Sequence, residues 1–190
     1  VISGVDFRGL TDGPLLREAL RSIGRPDDAR AVAQVVDAYL VHLQRTVASA
    51  EHFQVLPGVR ALLDELARRS SLALGLGTGN VEQGARLKLE RAALNHYFSF
   101  GGFGSDRDER ADILRLGVEH GAPLLGVPPQ QCRVVVVGDT PRDVAGAQAI
   151  GALSVVVATG GHTVSELQAA RPTACFEDLT DPAALTTIAG

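Results

Sequence analysis

The run Val134-Val-Val-Val-Gly138-Asp139-Thr140-Pro141-Arg142-Asp143 constrains this chain more than any other stretch. Four consecutive valines read as a strand covered on both faces, the mark of a parallel sheet. Gly138 lets the backbone turn, and Asp139 then stands at the strand's carboxyl end, where open α/β sheets place their ligands. Thr140 suits a helix N-cap, Pro141 the first helical position, and Asp143 lies one turn in. Asp139 and Asp143 are therefore expected to face one crevice beside the positive end of a helix. Two hard oxygen donors there suit Mg²⁺ and, through it, a phosphate. The same spacing also makes Asp143 the partner of Thr140 in a capping box. A carboxylate directly after an apolar strand, such as Asp139, has no comparable folding role.

Around this run the pattern alternates. Strands are expected at Ser71–Gly77, Tyr97–Phe100, Arg133–Val137, Leu153–Ala158 and Ala174–Phe176. Helices are expected near 81–92, 109–120, 142–150, 164–170 and 182–188, with Asn80, Thr140, Thr163 and Asp181 at N-cap positions. Such alternation predicts an α/β fold, a parallel sheet with helices on both faces, over residues 56–190. Residues 1–55 read differently, as two helices and no strand. Leu15, Leu16, Ala19, Leu20 and Ile23 mark the first, and Val32, Val35, Val36, Tyr39, Leu40, Leu43 and Val47 mark the second. This is a small all-helical unit with a thin core of its own.

Composition narrows the function. The 190 residues are 45% hydrophobic, enough for a proper core. A net charge of −4 provides no basic face and argues against nucleic acid or an anionic membrane as partner. No apolar run has the length of a membrane span. Cys132 and Cys175 lack metal-ligand spacing and are expected as buried free thiols, which suits a reducing, cytoplasmic setting. His42, His52, His96, His120 and His162 are scattered and expected at the surface or in loops. The chain has no methionine and opens at Val1-Ile-Ser-Gly, so its natural beginning is expected to lie upstream.

Two further stretches carry chemistry. Leu74-Gly-Leu-Gly77-Thr78-Gly79-Asn80 is a second strand-to-helix junction, with a hydroxyl, an open backbone N–H and an amide beside a helix start. That combination makes an anion pocket, or simply a capped glycine turn. Arg107 and Arg110 open another helix, where a cation opposes the dipole and suggests an anionic partner elsewhere.

Taken together, Thr78-Gly-Asn80, Arg110 at a helix start and Gly138-Asp139-Thr-Pro-Arg-Asp143 resemble the haloacid dehalogenase-like superfamily. Within it the likeness is to the phosphoglycolate-phosphatase-like hydrolases. The resemblance implies a Rossmannoid core with a helical cap (residues 1–55) and a Mg²⁺-dependent phosphohydrolase with a phospho-aspartyl intermediate. By the resemblance, Thr78, Gly79 and Asn80 hold the phosphoryl group, and Arg110 takes the place of the motif-three cation, usually lysine. Asp139 and Asp143 bind or support the metal. The implied partner is a small phosphorylated substrate, and the implied assembly a monomer or homodimer. Arg8 and Arg17 are the cap cations nominated to reach the leaving group.

The family's first motif, a strand followed by Asp-x-Asp, has no counterpart here. Asp6 imitates the spacing, but no apolar strand precedes it. The first core strand is therefore expected to be missing from this chain. Its place is at the sheet's centre, between the pair 71–77/97–100 and the pair 133–137/153–158. Two rival readings stay open: a non-catalytic phosphate-binding relative, and an S-adenosylmethionine-dependent methyltransferase suggested by Leu74-Gly-Leu-Gly-Thr-Gly79. The latter leaves Asp139 and Asp143 unexplained.

Overall fold

The computed structural model describes residues 9–190. Asp6 and Arg8 lie outside the described residues. The first two helices are α1 (Asp12–Ser22) and α2 (Ala29–Ser49). Asp28 caps α2 by accepting from Ala31 N at 2.9 Å, as a short acidic side chain does at a helix start. No residue of α2 is buried, so its propensity and its one-sided packing on the core hold it. The α/β part follows: α3 (Val59–Ala67), β1 (Gly75–Thr78), α4 (Glu82–Arg91), β2 (Phe100–Phe103), α5 (Arg110–Gly121), β3 (Val135–Gly138), α6 (Pro141–Ala149), β4 (Leu153–Val157), α7 (Val164–Ala169), β5 (Ala174–Phe176) and α8 (Pro182–Ala189).

Every strand pairing is parallel. Strand β4 shows why the valine-rich runs fold as they do. Val155 and Val156 are both fully buried but point to opposite faces. Val155 packs with Leu62, Leu66 and Ile188 of α3 and α8, while Val156 packs with Val144 and Leu167 of α6 and α7. Helices thus cover both faces of this sheet.

The strands fall into two sheets, β1-β2 and β3-β4-β5. Among the described residues no ladder joins β1 to β3, although the same helices flank both. Between them lies a cavity of about 440 Å³ lined by Leu62, Leu66, Leu76, Leu114 and Val136. Each of β1 and β3 keeps one edge without a ladder partner among the described residues, so the cavity lies where a further strand would pair. Val137 is 43% exposed. Four valines covered on both faces were expected, but the open slot leaves β3 covered only in part.

Other boundaries also differ from the sequence pattern. The expected strand at 71–77 is β1 at Gly75–Thr78, because Leu72 N closes a turn onto Arg69 O at 3.0 Å. The strand expected at 97–100 is a single helical turn at Asn95–Tyr97, and β2 starts at Phe100. Its glycines are structural: a Cβ on Gly102 would lie 1.9 Å from Ile113 O, so glycine lets α5 lie directly on the strand. Asn80 is not the cap of α4; Val81 holds that position. Thr140, Thr163 and Asp181 are N-caps as expected. Cys132 and Cys175 are free but half-buried rather than buried, and burial pushes the Cys175 thiol up.

Candidate active site at the two strand ends

The carboxyl ends of β1 and β3 flank the mouth of the slot. Thr78 is the last residue of β1 and Asp139 the first after β3. Arg110 is the first residue of α5 and reaches over from there. Its Nη1 donates to Gly77 O at 3.2 Å, and its Nη2 meets Asp143 Oδ1 at 2.7 Å. One guanidinium therefore ties the end of β1 to the start of α6, across the line where the two sheets do not pair. The side chains are 18% and 7% exposed, so water screens the pair little. Arg110 Nε is buried with no hydrogen-bond partner among the described residues. A buried donor without a partner is costly, and it marks a place where another group belongs.

Asp143 is saturated. Its Oδ2 accepts from Asp139 N at 3.2 Å, Thr140 N at 3.1 Å and Thr140 Oγ1 at 2.8 Å, while Oδ1 takes Arg110. The capping box and the ion pair account for both oxygens. The sequence offered Asp143 as a metal ligand or as support for the cation; the geometry has it supporting Arg110 and fixing the turn that aims Asp139. Glycine at 138 is required there, since a Cβ would fall 2.4 Å from Asp143 Cγ.

Asp139 is half-buried at the same mouth. Burial holds its carboxyl above the usual carboxylate range, and the negative Asp143 adds to this; its own backbone, Arg110 and His162 pull the other way. A Cβ on Gly160, in the loop after β4, would lie 1.9 Å from Asp139 Oδ2. The β4 loop thus forms one wall of the pocket. A metal fits this donor set in part: Asp139 is a hard anionic ligand at a strand end. Among the described residues, however, no group of three or more His, Cys, Asp or Glu side chains could hold an ion.

The Thr78–Val81 turn, expected as an anion pocket, gives several of its donors to protein groups. Asn80 N donates to Thr78 Oγ1 at 3.2 Å, Val81 N to Asp12 Oδ2 at 2.9 Å and Glu82 N to Ser105 Oγ at 3.4 Å. Protein groups therefore take these three donors at the start of α4. Asn80 Oδ1 accepts from Lys88 Nζ at 2.7 Å. Of the other nominated cations, Arg17 pairs with Asp108 and exposed Arg107 bonds its neighbour's carbonyl, Asp106 O. Sequence reasoning missed Asp12, Lys88, Gly160 and His162. Gly160 lies in the loop after β4, separated from the strand by Ala158 and Thr159, and was open to the rule that sites gather near strand ends; Lys88 lies two helical turns beyond Asn80 and gave a weaker signal.

A parallel α/β core with carboxylate, cation and hydroxyl gathered at adjoining strand ends defines a hydrolase-type site. The chain belongs to the haloacid dehalogenase-like hydrolase family, whose model matches residues 10–151. It is 33% identical over 129 residues to a phosphoglycolate phosphatase of Synechococcus elongatus, covering 67% of this chain and 57% of that protein. It is 34% identical over 134 residues to a phosphoglycolate phosphatase of Chromobacterium violaceum, covering 70% and 56%. The chain thus spans little more than half the length of these curated relatives. In fold it is similar to a hydrolase from Pseudomonas syringae, with a TM-score of 0.66 at 21% identity over 92% of this chain and 76% of that one. Family membership sets the methyltransferase reading aside.

Proposed function

We propose that this chain forms most of a Mg²⁺-dependent phosphomonoester hydrolase acting on a small phosphorylated metabolite. The observation that carries the reading is the gathering of Thr78, Arg110 and Asp139 at the carboxyl ends of β1 and β3, where Arg110 bridges Gly77 O and Asp143 beside the apolar slot. In this reading a further strand fills the slot in the complete protein and brings a carboxylate nucleophile between β1 and β3. Residues 1–55 act as the cap. The buried Arg110 Nε, which has no partner among the described residues, supports a polar group arriving at that point.

The chemistry is a double displacement. The nucleophile's oxygen bonds to phosphorus as the ester oxygen leaves with a proton; water then attacks phosphorus, the acyl phosphate bond breaks and phosphate departs. Phosphoryl transfer asks mainly for positioning and neutralisation of charge. The Thr78 hydroxyl orients the phosphoryl oxygens, and the Arg110 guanidinium neutralises them while Asp143 fixes its plane. Asp139 would hold the metal, which when bound supplies a further positive charge against the same oxygens. Phosphoglycolate phosphatases are the named relatives, and a small acidic phosphomonoester is the corresponding substrate class.

The test is hydrolysis of p-nitrophenyl phosphate by the complete protein with and without Mg²⁺. Asp139→Ala should lower turnover by about 100-fold or more, the scale of losing one group that neutralises transition-state charge, while circular dichroism stays unchanged. Full activity in that variant would overturn the assignment of Asp139. A complete protein that binds phosphate but turns over nothing would favour the non-catalytic reading.

A further inference from the structure

One residue of the helical unit touches the Thr78–Val81 turn from both sides. Asp12 N donates to Gly79 O at 2.8 Å, and the Asp12 carboxylate accepts from Val81 N at 2.9 Å. The approach is tight: a Cβ on Gly79 would lie 2.4 Å from Leu10 O, and a Cβ on Gly104 would lie 1.9 Å from Gly79 O. The turn is thus gripped between residues 10–12 and the loop after β2. One step earlier, a Cβ on Gly9 would sit 2.9 Å from Thr140 Oγ1. Residues 9–12 therefore run from the end of β3 to the end of β1, over the slot's mouth.

Lys88 completes the arrangement. It spans two turns of α4 to bond Asn80 Oδ1, and, like Tyr39, it is half-buried within the field of the Asp12 carboxylate. Burial lowers the ammonium's affinity for its proton, and the Asp12 charge acts against that. Burial raises the Tyr39 hydroxyl, and Asp12 adds to the effect. The two residues are linked through the turn that both hold, Asp12 at Val81 N and Lys88 at Asn80 Oδ1.

We propose that Asp12 latches the α1–α2 unit onto the Thr78–Val81 turn, that Lys88 braces the same turn through Asn80, and that these two positioning residues together set the direction of the Thr78 hydroxyl at the site. This rests on the hydrolase reading above for its effect on turnover, but not for the latch itself. Asp12 fixes the backbone of the turn and Lys88 fixes the amide of Asn80. Neither touches substrate.

The experiment uses the complete protein with Asp12→Ala, Lys88→Met, Lys88→Arg and the double variant Asp12→Ala/Lys88→Met. Amide hydrogen exchange reads the latch without any need for activity. Val81 N–H should exchange at least about 10-fold faster in Asp12→Ala, the loss of one such hydrogen bond, while Val155 and Val156 in β4 stay protected. On p-nitrophenyl phosphate, kcat should fall about 10-fold in Asp12→Ala and in Lys88→Met, with the Mg²⁺ half-saturation point unmoved. Lys88→Arg should recover part of the loss, and the double variant should lose less than the two single losses combined. Unchanged Val81 exchange in Asp12→Ala would overturn the latch, as would additive losses in the double variant. A parent protein without turnover sinks the hydrolase reading, and Val81 exchange still decides the latch.

Discussion

Asp139 sits where function and stability oppose each other. Its carboxyl is held above its ordinary range, chiefly by burial and then by Asp143. A group whose folded-state affinity for protons exceeds the unfolded one stabilises the fold fully at low pH and loses that contribution as pH rises. In metal-free protein at pH 7 the ionised Asp139 therefore costs stability. Asp139→Asn should raise the melting temperature at pH 7 in EDTA, and the gain should shrink as pH falls through the raised folded-state range and be gone by about pH 4, the ordinary carboxylate value. Scanning calorimetry across that range checks it, and a variant less stable than the parent at pH 7 would contradict the argument. Arg110 is the opposite case. Arg110→Met leaves Asp143 buried with its backbone donors but no counter-charge, a loss of up to about 3 kcal/mol by denaturant unfolding. Arg110→Lys keeps the charge and loses the second contact to Gly77 O, so it should fall between the two.

At the scale of elements, packing distances decide which residues a strand can carry. Strand β2 is Phe-Gly-Gly-Phe because α5 lies on it without room for side chains. Gly102→Ala would drive a methyl to 1.9 Å from Ile113 O, so α5 must lift. The expected cost is about 1–3 kcal/mol, read as a lower denaturant midpoint, with lost activity because Arg110 rides on the same helix. A midpoint equal to the parent's would show that α5 can shift freely. The same glycines explain what the sequence could not reveal. Strands β3 and β4 and the capped helices were legible because valine runs and Thr-x-x-Glu or Thr-x-x-Asp signals follow local rules. Strand β2 was misplaced because glycine argues against a strand unless a neighbour's close approach is known. At the site, Asp139 was legible from its place after an apolar strand. The Asp12–Val81 bond joins residues 69 positions apart, and no local pattern announces it.

At the scale of the molecule, the slot between β1 and β3 is the dominant fact. Strands β1 and β3 flank it with apolar side chains between them, and among the described residues no ladder joins the two. Backbone N–H and C=O groups facing such a slot have no ladder partner among the described residues, and a group of this kind is costly in apolar surroundings unless a partner reaches it. Strand β4 sets the contrast, since it is paired on both sides and its Val155 and Val156 are fully buried. In the 190-residue chain by itself, amides of β1 and β3 should therefore exchange much faster than those of β4. In a longer protein whose added segment occupies the slot, the β1 and β3 amides should gain protection while β4 changes little. Hydrogen exchange followed by mass spectrometry compares the two directly. Equal protection of β1, β3 and β4 in the 190-residue chain would mean that the two sheets close on each other in solution. The slot would then be no seat for a strand, and the proposed nucleophile would have to reach Thr78, Arg110 and Asp139 by another route.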